Sequence, residues 1–229
     1  VYDWVNGQSD LKSSTLRSIG DPVERFREDN LRLLRAVRFA AQLDYEIESD
    51  TFLALQAHAS LIKNVSAERV RNELCSLLRP PHAARGLDLL LQESFRSGTP
   101  MLGICIGIQI LFKHSSEEDT NCLGLLSGQV EQFSASHDCK VPQIGWNTVR
   151  QVQSHWIFAG IPDRSYFYFV NSYYPIPSDN EIQIGYTHYK VNFCSVVAKK
   201  NLVATQFHLE KSGTVGLKML DNFLKYCPY

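Results

Sequence analysis

The sequence predicts an all-helical segment over residues 1–93 followed by an α/β domain over residues 94–229, and three observations predict it. Before Glu93 apolar residues recur at helical spacing, whereas after it short β-rich runs alternate with loops. Basic residue choice changes at the same place: residues 1–93 hold ten Arg and two Lys, residues 94–229 three Arg and eight Lys. A chain of 229 residues with 44% hydrophobic content also has enough apolar material for two small cores.

The elements follow in order. Phe26, Leu34, Val37 and Ala41 give one apolar face to a long helix within Val23 to Leu43. A second helix starts near Asp50, and Ser66 caps a third. A helix from Ala83 to Arg96 carries the chain across the seam, which has no Gly/Ser- or Pro-rich linker. The runs Met101–Ile104, Tyr166–Val170 and Leu202–Phe207 are strands, and a helix over Gly213 to Lys225 closes the chain.

A formal net charge of −1 gives no overall electrostatic attraction to nucleic acid or an anionic membrane. There is no uninterrupted apolar run of roughly 18 residues and no basic-then-apolar leader, so a cytoplasmic protein is expected. Cys75, Cys105, Cys122, Cys139, Cys194 and Cys227 form no C-x-x-C pair, which argues against a zinc knuckle or a disulfide framework. Five of them read as buried or incidental thiols, and no metal or cofactor is implied. The first residue is Val1 rather than Met, pointing to a longer reading frame.

Cys105 is the exception. Gly103-Ile104-Cys105-Ile106-Gly107 has the G-x-C-x-G form of a nucleophile elbow, in which a strand turns sharply into a helix and exposes the middle side chain. Ile108, Leu111 and Phe112 supply the apolar face of that helix. A helix N-terminus beside a histidine is expected to lower the thiol pKa and raise the thiolate fraction. His208 and Glu210 lie two apart at the end of a β-like run, so on an extended strand both point to one side and Glu210 can orient His208 as a general base. The competing reading, a small core cysteine with a surface His–Glu pair, accounts for either motif alone but poorly for both together.

At these residues the chain resembles the class I glutamine amidotransferases. Pro100 to Gln109 and Ala204 to Gly213 are similar to the two signature blocks of that class. Lys140 to Asn147 and Tyr166 to Tyr174 resemble the glutaminase subunit of imidazole glycerol phosphate synthase. The resemblance implies a flavodoxin-like α/β domain with Cys105, His208 and Glu210 as the catalytic triad. It also implies that Gln109, Ser172 and Tyr173 line the glutamine pocket. The implied partner is a (βα)8-barrel cyclase, bound as a heterodimer near Gly145-Trp146-Asn147, which takes up the ammonia in histidine biosynthesis. Leu209 stands where the family has proline, and Asn171 where it has histidine. The family's first strands, including the Gly-rich oxyanion strand, are not recognisable before Ser94, so a domain lacking its N-terminal strands is expected.

The helical half resembles the neck of bacterial CCA-adding tRNA nucleotidyltransferases. Asp3 to Leu11, the Glu28-Asp29-Asn30-Leu31-Arg32 block and Ser66 to Leu74 occur in that family's order. Asp29 and Arg32, three apart on one helix face, would then read ATP or CTP by presenting acceptors and donors to a base edge. Alone, such a pair is an ordinary solvated ion pair. Asp3 and Gly7 would belong to the loop joining head to neck, and Arg69 with Glu73 would buttress the reading helix. The paired metal-binding carboxylates of that family are not found, so nucleotidyl transfer by this chain alone is not expected. Three functional readings follow: a glutaminase, a fragment binding nucleotide or tRNA, and a fusion with no function of its own.

Overall fold

The computed structural model describes residues 2–77, 83–135 and 140–226; Cys139 and Cys227 lie outside them. The chain forms two compact units, Val1–Glu93 and Ser94–Tyr229. Among the described residues no helix is long and apolar enough to cross a membrane.

The first unit is helical. Helix α1 (Gly7–Lys12) is capped by Asp3, whose Oδ1 and Oδ2 accept from the N–H groups of Gly7 and Gln8, each at 2.9 Å. Strand β1 (Thr15–Leu16) leads into α2 (Pro22–Glu28), started by Asp21 accepting from Val23 N at 2.8 Å with Pro22 behind it. Helix α3 (Arg32–Leu43) ends at Asp44 in a left-handed conformation, and β2 (Glu46–Ile47) pairs parallel with β1. Helix α4 (Ser49–His58), a 3-10 turn over Ala59–Asn64, α5 (Ala67–Leu77) and α6 (Ala83–Ser97) follow. Phe26, Leu33, Ala54 and Leu55 form the buried centre of the unit.

The sequence reading of one long helix over Val23–Leu43 is corrected here. Asp29 adopts extended backbone (φ −143°, ψ 102°) and separates α2 from α3. Its carboxylate accepts from Leu31 N at 3.2 Å, which offers the backbone a turn in place of a continued helix. Asp29 and Arg32 therefore do not share a helix face.

The second unit begins inside α6, which ends at Ser97. Strand β3 (Met101–Ile104), the one-turn helix α7 (Ile106–Gln109), β4 (His114–Ser115), β5 (Thr120–Asn121) and β6 (Gly128–Gln132) come first. Then follow β7 (Gln143–Gln151), β8 (Ser165–Asn171), β9 (Tyr173–Pro177), β10 (Gln183–Tyr189), β11 (Val191–Lys199), β12 (Leu202–Thr205) and α8 (Gly213–Tyr226). The main sheet runs β3-β12-β11-β10-β7-β8, with β3–β12 parallel and every other pair antiparallel; a smaller sheet runs β5-β4-β6-β9.

Burial explains the strand compositions. Phe193 to Val197 of β11 are buried without alternation because both faces of that central strand are covered. Strand β8 alternates, with Phe167 and Phe169 buried against Phe207 at ring separations of 4.1 and 5.4 Å. The far edge of the sheet curls back: Tyr168 of β8 bridges His208, which follows β12, through His208 N–H donating to Tyr168 O at 2.9 Å. That curl brings both ends of the sheet to the elbow.

Candidate active site

Cys105 ends β3 with φ 56° and ψ −107°, a conformation that costs about 1–3 kcal/mol for a residue with a Cβ and survives where the surroundings enforce it. The enforcement is visible. Cys105 N donates to Thr205 O at 2.8 Å, fixing the residue against β12, and Ile108 N donates to Cys105 O at 3.1 Å. Gly103 must be glycine: a Cβ there would lie 2.9 Å from both Ala204 Cβ and Gly107 O. The thiol donates to Val170 O at 3.7 Å.

Val170 and Tyr168 are two apart on β8, about 7 Å. Val170 O takes the Cys105 thiol, and Tyr168 O takes the His208 amide. His208 Nδ1 is 2.7 Å from Glu210 Oε1. Burial, the largest single influence, pushes the Glu210 carboxyl up, but the hydrogen bond with His208 together with smaller backbone and charge contributions holds the group below the ordinary range. Ionised Glu210 can only accept, so Nδ1 carries the proton of this bond.

The route to this contact differs from the sequence expectation. Strand β12 stops at Thr205, and Glu210 sits in a 3-10 turn over Leu209–Lys211 rather than on a strand. Ser212, which the sequence reading gave no role, locks the turn: its Oγ donates to His208 O at 2.5 Å and accepts from Tyr168 N at 2.9 Å. A polar residue four positions past the histidine inside the signature block was the available signal.

A second correction concerns the thiol. The expected lowering of its pKa is not found. Burial pushes the Cys105 thiol up; the Ile106 N–H opposes this and the Glu210 carboxylate adds to it. Helix α7 is only four residues long, so little dipole is available to offset desolvation. The resting thiol is accordingly protonated. Iodoacetamide should therefore alkylate Cys105 more slowly at neutral pH than it does glutathione, with a rate that rises at higher pH than for the free thiol. A lower midpoint, read by mass spectrometry of the Cys105 peptide, would refute this.

Gln109 is buried, and its Nε2 donates to Tyr173 O at 2.9 Å and to Gln206 Oε1 at 3.1 Å. Asn171 Nδ2 donates to the same Tyr173 carbonyl at 3.0 Å. Ser172 holds the neighbouring loop by accepting from Phe133 N at 2.9 Å. A 290 Å³ cavity beside the elbow is lined by Ile106, Gln109, Ser115, Glu117, Glu118 and Cys122. Glu117 escaped the sequence reading, since a carboxylate in a polar loop carries no pattern.

In the helical unit Asp29 accepts from Arg69 Nη2 at 3.3 Å and lies 3.9 Å from Arg35, while Arg32 bonds Glu28 at 2.8 Å and Arg25 O at 3.1 Å. Glu73 accepts from Arg38 at 2.7 Å and Arg35 at 3.1 Å, tying α5 to α3.

The α/β unit thus sets a cysteine elbow after β3 and a His–Glu turn after the neighbouring strand β12, with β8 from the far edge of the sheet bonded to both. Residues 80–227 match the family model Glutamine amidotransferase class-I, and the chain belongs to that family. Among its relatives is the imidazole glycerol phosphate synthase subunit HisH of Dehalococcoides mccartyi, 41% identical over 197 residues, 86% of this chain and 92% of that one. That alignment is longer than residues 94–229 and so reaches into the helical unit. The HisH of Neisseria gonorrhoeae is 46% identical over 147 residues, covering 62% of this chain and 69% of its own.

Residues 44–95 match a second model, Probable RNA and SrmB- binding site of polymerase A, and residues 80–95 are shared between the two matches. Among solved structures, the Bacillus stearothermophilus CCA-adding enzyme with CTP is 38% identical with a TM-score of 0.38, covering 40% of this chain and 23% of that one. A Thermotoga maritima glutamine amidotransferase is 20% identical with a TM-score of 0.43, covering 60% and 52%. The chain thus spans about a quarter of the CCA-adding enzyme.

Proposed function

We propose that the second unit hydrolyses glutamine to glutamate and ammonia at Cys105, and that the ammonia passes to a (βα)8-barrel cyclase in imidazole glycerol phosphate synthesis, in the cytoplasm. The observation that carries the reading is the tethering of the Cys105 thiol and the His208 amide to carbonyls two residues apart on β8, with His208 on Glu210.

In the proposed reaction His208 Nε2 takes the Sγ proton as the sulfur attacks the glutamine side-chain carbonyl. The tetrahedral adduct collapses to a thioester, and the His208 proton goes to the departing ammonia. Water, deprotonated by His208, then attacks the thioester; the C–S bond breaks, glutamate leaves and the thiol is restored. Glu210 fixes the tautomer throughout. A protonated resting thiol suits this sequence, because deprotonation is coupled to attack instead of preceding it. Gln109 supports the pocket loop through Tyr173 O, and Glu117 offers a counter-charge for the substrate's α-ammonium. The test is glutamine-dependent ammonia release by the chain with a barrel cyclase, with Cys105→Ala as control.

A second reading belongs to the first unit: that it binds ATP, CTP or a tRNA end. Arg25, Arg32, Arg35 and Phe39 line a 290 Å³ cavity, a setting in which guanidinium groups can meet phosphate and an aromatic ring a base. Arg32→Ala is expected to weaken ATP or CTP binding about tenfold, the effect of losing one charge-assisted hydrogen bond. Equal binding by both chains, measured by equilibrium titration, would end this reading.

A further inference from the structure

Beside the elbow a chain of side-chain amides hangs from one backbone carbonyl. Tyr173 O accepts from Gln109 Nε2 at 2.9 Å and from Asn171 Nδ2 at 3.0 Å, which occupies both of its lone pairs. A carbonyl only accepts, so Gln109 must turn its NH2 group toward Tyr173 O. The second hydrogen of that NH2 group goes to Gln206 Oε1 at 3.1 Å. Gln206 therefore has to present oxygen to Gln109, and its own NH2 group is turned away.

The consequence is a buried donor without an acceptor. Gln206 is fully buried, and its Nε2 has no hydrogen-bond partner among the described residues. Such a group lowers stability, and an apolar side chain of the same length would not carry it. The backbone around it is firmly held: Gln206 N donates to Ser195 O of β11 at 2.9 Å, and the preceding Thr205 O takes Cys105 N at 2.8 Å. The oxygen end of Gln206 is thus a fixed point from which Gln109, part of the cavity wall beside the elbow, is oriented.

We propose that Gln206 is a positioning residue for the substrate glutamine, acting through Gln109 on the Tyr173 carbonyl and the junction between β8 and β9. The role rests on the proposed amidotransferase reading and adds to it the residue that sets the pocket wall. Fully buried, Gln206 reaches glutamine only through Gln109. Cys105 N is held by Thr205 O and His208 N by Tyr168 O, bonds that do not pass through the Gln206 side chain. Its loss therefore falls on glutamine binding and not on bond making, and the unpaired Nε2 is the stability given up for the orienting oxygen.

Kinetics are measured on the full chain with a barrel cyclase, and glutamine is titrated into the full Cys105→Ala chain, where no turnover intervenes. Gln206→Met keeps length and volume but offers no comparable acceptor. It is expected to raise KM for glutamine about tenfold, the effect of one buried hydrogen bond, with kcat within about twofold. In the Cys105→Ala background the same substitution should weaken glutamine binding about tenfold. Gln206→Glu restores an oxygen facing Gln109, burial keeping the carboxyl protonated and uncharged, and should return KM to within about threefold of the original. The melting temperature of Gln206→Met should stay level or rise, because the unpaired donor is gone.

A glutamine present for packing alone gives the reverse pattern, a lower melting temperature with KM unaltered, and that result would overturn the proposal. So would matched impairment of KM and kcat that Gln206→Glu does not repair, failure of Gln206→Met to fold, or no glutamine binding by the Cys105→Ala chain. Glutamine binding that Gln206→Met weakens, in a chain that releases no ammonia, would sustain the positioning role and defeat the amidotransferase chemistry alone. Ammonia release with a KM indifferent to Gln206→Met would leave that chemistry standing and defeat the positioning role.

Discussion

Cys105→Ala is expected to reduce glutamine-dependent ammonia release at least ~1000-fold, because the substitution removes the atom proposed to form the thioester and leaves every other element of the site in place. Alanine carries a Cβ like cysteine, so the strained backbone at φ 56° is neither relieved nor worsened. The lost thiol contact is a single long one, to Val170 O at 3.7 Å, so stability should change little and the folded control can be compared directly. Cys105→Ser should be nearly as inactive. A serine hydroxyl in the same half-buried place is much harder to deprotonate, and His208 would have to remove a proton from a far weaker acid. Residual ammonia release by either variant at a tenth or more of the original rate would remove Cys105 from the chemistry. The assay follows ammonia with saturating glutamine, and circular dichroism verifies folding.

How far the sequence discloses this arrangement depends on how local each signal is. The elbow is local: Gly103, Cys105 and Gly107 encode a turn whose geometry depends on close backbone approach, and β3 begins and ends where the apolar run Met101–Ile104 does. Helix α8 and the Ser66 cap are legible for the same reason, each written in adjacent residues. Asp29 misleads because a short acidic side chain can cap a turn as readily as it rides a helix, and only the contact to Leu31 N decides between them. The thiol pKa misleads because it depends on burial and on the length of α7, neither of which follows from G-x-C-x-G. The curl that carries β8 to His208 is invisible in the sequence. It arises from twist accumulated across six strands, and its trace is one bridge, Tyr168 to His208.

Gly216→Ala is expected to destabilise the second unit and to lower the glutaminase rate roughly 100-fold. The two considerations at this position have opposite signs, so their sizes decide the outcome. Inside a helix, alanine is favoured over glycine by roughly 0.5–1 kcal/mol, and α8 spans Gly213–Tyr226, so a gain would be expected on propensity alone. Packing reverses it. A Cβ at Gly216 would lie 2.0 Å from Leu209 O and 2.8 Å from Ser212 Cβ. Leu209 O is backbone, with no flexible end to swing aside, and overpacking of this kind costs about 1–3 kcal/mol. Relief requires the turn over Leu209–Lys211 to move by at least roughly 1 Å, and further to reach ordinary van der Waals separation. That turn holds Glu210 against His208 at 2.7 Å and is stitched to β8 by Ser212. A displacement near 1 Å in catalytic positioning costs about 100-fold in rate. The loss should fall on kcat with a smaller effect on KM, since Gln109 and the Tyr173 carbonyl lie on other elements. Thermal unfolding should move down by a few degrees. An unchanged rate with an unchanged or raised melting temperature would show that α8 does not set the position of the His208–Glu210 turn.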